Sequence, residues 1–219
     1  MTIDVQTNLF RYDIIEPPEN WDTNFRNPEY ETEEYGHKNK ANLFFFTDSE
    51  DIAKDLGQGS ANKRCLNEYF LTKSKTESCL TLIDFNNRQN IYQMLCLLND
   101  LKINVLTIDF KTYEGDSTFL DLKSIFDNAE VETHLLKKAS IVSQLKVHSK
   151  SNVTDISLFG QRLTDFDNGL KFKSIINDIY PKIDGYRWKE YNDDRGITYC
   201  LFDSKKLSQK WTEKIKVSK

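Results

Sequence analysis

The sequence lacks the residue patterns that mark metal, redox or membrane function. Its four cysteines, Cys65, Cys79, Cys96 and Cys200, form no Cys-x-x-Cys pair, and no histidine lies close enough to suggest a zinc site. We interpret them as buried free thiols in a reducing compartment. No apolar run approaches the ~18 residues that a membrane helix needs, so we expect no membrane insertion.

The N-terminal stretch also lacks the basic and then apolar pattern of a secretory signal. We therefore expect a protein that is cytoplasmic where it is made. Export or injection by a dedicated machine, without a cleavable signal, stays open as the alternative. The formal net charge of -4 argues against generic nucleic-acid binding.

Aromatic residues are plentiful, with 14 Phe and 10 Tyr among 219 residues, and they predict an aromatic-rich core. A chain of this length suits one sizeable core. We expect a single domain over residues 1–219, with a long polar loop at about 17–41 and a basic tail at about 205–219. A loop of this length inside a domain is usually functional or disordered.

Apolar runs predict strands over residues 8–15, 42–47, 79–85 and 104–110, and a strand or short helix over 65–71. One helix is expected to start at the acidic stretch 48–51 and to end at Gly57 and Gly59. Other helical patterns cover 90–101, 111–133, 134–147, 170–180 and a terminal helix that packs Trp211. Strands and helices do not alternate regularly, which favours an α+β domain over a doubly wound sheet.

Residues 183–203 are typical of a β-hairpin. Aromatic and β-branched residues lie on both sides of a polar group at 192–196, and Gly185 opens the first strand. Glu190 is the unusual residue, because it lies among aromatic side chains near the end of that strand. A carboxylate there is either an edge-strand charge facing water or a placed catalytic group, and spacing alone favours the former.

The order of these segments resembles the RES domain and its relatives in the ADP-ribosyltransferase superfamily. The resemblance runs from about residue 9 to 202. It is carried by the Leu9-Phe10-Arg11 strand, by residues 36–39 ahead of the strand at 42–47, by the helix start at Ser49, and by the hairpin. It implies an α+β fold with an ADP-ribosyltransferase-like split β-sheet core and peripheral helices.

Members of that superfamily hold NAD between two small sheets and break the bond between nicotinamide and ribose. The resemblance therefore implies an NAD-consuming enzyme, by NAD hydrolysis or ADP-ribosyl transfer, in a bacterial toxin or effector. NAD is the substrate, and no metal is expected. A carboxylate that grips the ribose and faces the developing positive charge lowers the barrier, much as in glycoside cleavage.

Carried over to this chain, the resemblance makes Glu190 the catalytic residue and assigns NAD binding to Arg11, Tyr35, His37 and Phe46. Arg11 would anchor a phosphate or the ribose, and Phe46 would stack on nicotinamide. The residues alone leave other roles open. Arg11 on a strand could be a structural ion-pair partner, His37 a solvated loop residue, and Phe46 ordinary core packing.

The chain departs from the RES pattern in two places. Residues 35–39 read Tyr-Gly-His-Lys-Asn where the pattern has an Arg, and the Glu expected after the helix start is missing unless Asp55 substitutes. These departures favour the alternative, a non-catalytic protein-binding module that retains the fold. Possible partners are a target macromolecule, contacted by residues 21–35, or a neutralising antitoxin.

Overall fold

The main structural element of the protein is an open eight-stranded β-sheet. The computed structural model of the chain describes residues 1–22, 25, 43–87, 90, 93–94, 97, 107–111, 117–121, 170–189 and 196–218, without the side chains of 107–111, 117–121 and 170–171. Within these ranges the protein is mixed α+β, as the irregular order of strands and helices predicts.

The described strands and helices follow one another without a repeating unit. Their bounds are β1 Thr2–Val5, β2 Asn8–Asp13, β3 Phe44–Thr47, α1 Glu50–Lys63, β4 Glu68–Lys75, β5 Leu80–Asp84, β6 Thr107–Lys111, β7 Ser117–Asp121, α2 Leu170–Ile179, β8 Gly185–Lys189, β9 Ile197–Leu201 and β10 Trp211–Lys216.

The strand order of the main sheet is β1-β5-β8-β9-β3-β2-β4-β10, and β6 and β7 form a separate two-stranded sheet. Neighbours in the main sheet are antiparallel except for β5 and β8, which run parallel. β2 and β3 are joined by a single residue pair, Phe10 with Thr47. The sheet is therefore most weakly connected between β3 and β2.

The sheet curls strongly, and two short links show it. Four strands separate β1 from β2 in the sheet, yet only Gln6 and Thr7 join them along the chain. A flat sheet would hold β1 and β2 about 24 Å apart, whereas the three steps from residue 5 to residue 8 span at most about 11 Å. The second link, residues 76–79, joins β4 to β5, which also have four strands between them in the sheet. The two links are hydrogen-bonded to each other, because Thr7 N donates to Thr76 Oγ1 over 2.9 Å and Thr76 N donates to Thr7 O over 3.1 Å.

The concave face of this curled sheet holds a buried apolar cluster. Side chains of β1 and β5 share this cluster with Leu9 of β2, although four and three strands respectively lie between them in the sheet, which only a curled sheet allows. Burial of each large apolar side chain stabilises the fold by about 1.5–3 kcal/mol. The cluster consists of Leu9, Phe44, Phe46, Leu80, Leu82, Tyr199, Leu201 and Leu207, with Ile3, Val5, Trp21 and Ile197 packed against it.

Helix α1 packs against β2, β3 and β4 on the convex face. Its start agrees with the prediction: the Ser49 hydroxyl caps it by accepting from Ile52 N over 3.3 Å, and two acidic residues occupy the first turn. Its predicted end was wrong, because the helix continues through Gly57 and Gly59 to Lys63. Gly57 lies directly against Tyr69, so a glycine here permits close helix packing instead of ending the helix.

The C-terminal tail is a strand, and the predicted terminal helix was wrong. Trp211 begins β10 and is 58% exposed, so it does not pack in the way that a buried terminal helix would require. Pairing with β4 satisfies the backbone hydrogen bonds of one side of the tail. Residues 117–121 are likewise a strand, where a helical pattern was expected.

Candidate functional site

A small opening lies on the concave face beside β2, and we refer to it as the Arg11 pocket. It combines charged side chains with aromatic rings. Pro17 and Pro18, which follow β2, form part of its lining. The pocket is lined by Arg11, Asp13, Pro17, Pro18, Trp21, Asp22, Phe25, Phe44, Thr72 and Lys210.

Arg11 and Asp13 form a close ion pair in this pocket. They lie two residues apart on β2, so both side chains point to the same face. Arg11 Nε donates to Asp13 Oδ2 over 3.1 Å, and Arg11 Nη2 donates to Asp13 Oδ1 over 2.6 Å. The Asp13 side chain is 1% exposed and that of Arg11 is 18% exposed. The pair holds the guanidinium in one orientation, since two parallel bonds fix its plane.

Two cations of the pocket lie over aromatic rings. Arg11 Cζ is 5.7 Å from the centre of the Phe25 ring, and Lys210 Nζ is 5.4 Å from that of Trp21. Burial lowers the pKa of Lys210. Trp21 is fixed in turn by a hydrogen bond from its Nε1 to Ser208 O over 3.1 Å. A phosphate can interact with such cations, and a flat ring can stack on such aromatic residues.

The structure describes two of the predicted site residues, and they lie on the same face of adjacent strands. Arg11 lines the pocket, while Phe46 on β3 is only 3% exposed. The edge of Trp21 covers Phe46, with 5.4 Å between the ring centres, so Phe46 is a core residue in this conformation. Tyr35, His37 and Glu190 lie outside the described residues, and their roles stay predictions.

The predicted hairpin at 183–203 is confirmed over its paired part. β8 and β9 are antiparallel from the pair Gly185–Leu201 to the pair Lys189–Ile197, and Glu190 is the next residue in the sequence. Gly185 is required here, because a Cβ would lie 2.0 Å from Cys200 O.

A polar network lies at the end of this hairpin, and no local sequence pattern predicts it. Asp48 Oδ1 accepts from Ile197 N over 2.8 Å, and Asp48 Oδ2 accepts from the Tyr199 hydroxyl over 3.2 Å. Burial, together with the nearby Asp48 carboxylate, raises the pKa of Tyr199 to about 12. Arg187 donates to Asp84 over 3.0 Å and also contacts the Tyr199 hydroxyl. The network ties the hairpin to the start of α1.

The cysteines differ in environment. Cys200 is buried, as expected, and burial raises the pKa of its thiol to about 12. Cys65 and Cys79 are exposed, so the expectation of burial was wrong for these two residues. Both lie at element boundaries, Cys65 after α1 and Cys79 before β5, where the chain is at the surface. Cys96 lies outside the described residues.

Comparison of the chain with protein-family models, with curated proteins and with solved structures gives no match. In the described part of the chain, no three His, Cys, Asp or Glu side chains are grouped so that they could hold a metal ion. Across the same residues, no helix is long and apolar enough to span a membrane.

Proposed function

We propose that the protein is an NAD-consuming enzyme that cleaves the bond between nicotinamide and ribose, by NAD hydrolysis or ADP-ribosyl transfer, and acts as a bacterial toxin or effector. The observation that carries the proposal is the Arg11 pocket. Its cations, Arg11 and Lys210, stand among the rings of Trp21, Phe25 and Phe44. A dinucleotide presents groups of matching chemistry, since its phosphates are anionic and its bases are flat. The cavity of about 10 Å³ has room for one water, so NAD would enter only after the aromatic rings that line it move aside.

The proposal includes an ADP-ribosyltransferase-like split sheet with peripheral helices. It is supported by the weak connection within the main sheet, where the single pair Phe10–Thr47 joins β2, β4 and β10 to the other five strands. The Arg11 pocket lies at this connection, because its lining includes residues of β2, β3 and β4. A cleft between two parts of a sheet is a common place for a ligand.

In the proposed reaction, the bond between ribose C1′ and the nicotinamide nitrogen breaks, and its electron pair stays with nicotinamide. The positive charge that develops on the ribose is stabilised by the carboxylate of Glu190. A hydroxyl oxygen of water or of a target macromolecule bonds to C1′ and releases its proton. The Asp48–Tyr199 contact would fix the hairpin that carries Glu190.

One observation favours a second candidate, a non-catalytic protein-binding module with the same fold. Phe46, the residue that the resemblance assigns to nicotinamide stacking, is buried under Trp21. In this conformation no flat ring can stack on Phe46. In the enzyme proposal, Trp21 or Phe25 takes over stacking of the nicotinamide ring.

Nicotinamide release separates the two candidates. We would incubate purified protein, its Glu190→Gln variant and a Glu77→Gln control with NAD. Glu77 is an exposed carboxylate between β4 and β5, so the control makes the same chemical change away from the Arg11 pocket. Loss of a carboxylate that stabilises the transition state should lower the rate by roughly 10²-fold or more, and the control should keep the wild-type rate.

Equal release by wild type and Glu190→Gln would remove Glu190 from the chemistry. Absence of release, together with no NAD-dependent rise in melting temperature and no toxicity on expression, would overturn the enzyme proposal in favour of the binding module. A rise in melting temperature without release would indicate transfer that needs its macromolecular target.

A further inference from the structure

The outermost strand of the main sheet, β10, presents an unpaired edge in the described part of the chain. It pairs with β4 on one side, and no described strand lies on its other side. Val217 N donates to Asn67 O over 2.9 Å, which fixes the phase of the ladder. Because bonding alternates along an antiparallel strand, the backbone N–H and C=O groups of Thr212, Lys214 and Lys216 point away from β4.

The side chains of β10 also alternate. Lys214 and Lys216 lie on one face of the sheet and are exposed, and Trp211 and Ile215 lie on the other. Lys214 contacts Glu68 over 3.0 Å, so part of its charge is balanced, and Glu213 is 3.8 Å from Lys73. The edge nevertheless has an excess of positive charge on one face. On the other face Trp211 and Ile215 flank Glu213, whose carboxylate is partly balanced by Lys73.

A second copy of the chain fits this edge poorly. Two copies that pair with their sheet faces continuous are antiparallel about a two-fold axis perpendicular to the sheet. Every even-numbered residue then faces an even-numbered residue of the other copy. Lys210, Thr212, Lys214 and Lys216 would therefore meet only one another in every register, and like charges directly opposite are destabilising.

Lysines on an edge strand commonly serve only to prevent pairing. That role does not account for Trp211, which is 58% exposed beside the same edge. Large exposed aromatic side chains are typical of binding interfaces, where burial of the ring stabilises the complex. A partner that matches both faces would bury Trp211 and neutralise the lysines.

We propose that β10 is a docking edge for an extended acidic segment of a partner protein, which adds to the sheet as a further strand. In that segment, Asp or Glu alternates with apolar residues. The acidic side chains face Lys214 and Lys216, and the apolar ones cover Trp211 and Ile215. The outward backbone groups of β10 supply the main-chain bonds, as in other complexes formed by strand addition. This proposal is independent of the NAD chemistry.

The probe is a fluorescent peptide of about nine residues in which Glu alternates with Val and Tyr, a length that covers a typical strand. Controls are a non-alternating peptide of the same composition and an alternating Lys peptide. We expect the alternating Glu peptide to bind at least tenfold more tightly than either control, and more weakly as salt rises. In NMR spectra, the amides of Thr212, Lys214 and Lys216 should become protected from exchange.

On the protein side, the double variant Lys214→Glu/Lys216→Glu should weaken binding at least tenfold. Reversal of two other exposed lysines, Lys63→Glu/Lys182→Glu, makes the same charge change elsewhere and should leave binding within twofold. If the β10 double variant fails to fold, two other tests remain. Trp211→Ala tests the apolar contact, and an N-methylated peptide added to the wild-type protein tests the main-chain hydrogen bonds. Each should weaken binding about tenfold.

Three results would overturn the proposal. The first is equal binding of the alternating and non-alternating peptides. The second is unchanged affinity after N-methylation of the peptide or after loss of Trp211. The third is a concentration-dependent dimer in sedimentation that Trp211→Ala abolishes, which would make a second copy the occupant of the edge.

Discussion

The two glycines of α1 offer one substitution with opposite expected effects at two positions of the same helix. A Cβ at Gly57 would lie 2.5 Å from two ring carbons of Tyr69 and 3.1 Å from Cβ of Tyr12. A Cβ at Gly59 would meet nothing within 4 Å. Gly57→Ala therefore tests the packing of α1 on the sheet, and Gly59→Ala measures the gain in helix propensity alone.

The magnitudes follow from these contacts. Replacing a glycine inside a helix by alanine gains about 0.5–1 kcal/mol, because glycine loses more backbone freedom on folding. At Gly57 this gain is opposed by overpacking, which costs about 1–3 kcal/mol in a well-packed core. The Tyr69 ring is held between α1 and β4 and is only 2% exposed, so it has little room to move. We expect Gly59→Ala to raise the free energy of unfolding by about 0.5–1 kcal/mol and Gly57→Ala to lower it by roughly 1–2 kcal/mol.

Urea unfolding followed by circular dichroism at pH 7 measures both changes. The slope of the free energy of unfolding against urea concentration should be the same in both variants, because neither changes the surface exposed on unfolding. Equal stabilisation by the two substitutions would refute the close approach of α1 to Tyr69. Destabilisation by Gly59→Ala would show that this glycine does not lie in a regular helix.

Two further predictions concern the free energy of unfolding at alkaline pH and the C-terminal end of α1. The pKa of Tyr199 is about 12 in the folded protein against ~10 in an unfolded chain, so its contribution to stability is complete below pH ~10 and is lost as the pH rises toward 12. Tyr199→Phe should lower the free energy of unfolding at neutral pH, because the hydrogen bond to Asp48 is lost. It should also reduce the decline of that free energy above pH 10. Urea titrations that show the same decline above pH 10 in the variant and the wild type would contradict this. Cys65, with φ 55°, occupies the left-handed position that follows α1, so Cys65→Gly should raise the free energy of unfolding by about 0.5–1 kcal/mol. Cys79→Gly is the control, because Cys79 is also exposed but does not have a positive φ. If Cys79→Gly raises the free energy of unfolding as much as Cys65→Gly does, the positive φ of Cys65 is not the cause.

The elements that sequence reasoning predicted are those with a strong local pattern. The buried strand β3, the strand β5, the helix α2 before Pro181 and the β8–β9 hairpin all have continuous apolar runs or clear boundary residues. The α+β class followed from their irregular order. These features depend on neighbours within a few positions, and a single sequence contains that information.

The errors arose where distant partners decide the structure. β10 has lysines at alternate positions and a weak apolar pattern, and it is a strand because β4, about 140 positions earlier, offers an edge. The short strand β1 was missed for the same reason, since β5 completes it. Gly57 was interpreted as a helix end because its contact with Tyr69 cannot be seen in the local sequence.

The candidate site divides in the same way. The Arg11–Asp13 pair could have been inferred from two charged residues two apart on a strand, and an ion-pair role for Arg11 was one of the alternatives. The contact between Lys210 and Trp21 could not have been inferred, because these residues are far apart in the sequence and the curl of the sheet brings them together. The Asp48–Tyr199 contact joins residues 151 positions apart and has no local signal.

The pairing of early strands with strands that are made much later has a consequence for the order of folding. Synthesis completes β1 to β5 early, but β3 and β5 receive their neighbours β9 and β8 only after roughly a hundred further residues, at the ~5–20 residues per second typical of translation. During that interval the edges of β3 and β5 are open to other chains. Contacts this distant in sequence also slow refolding. The nascent chain is therefore most prone to mispairing before residues 185–201 leave the ribosome.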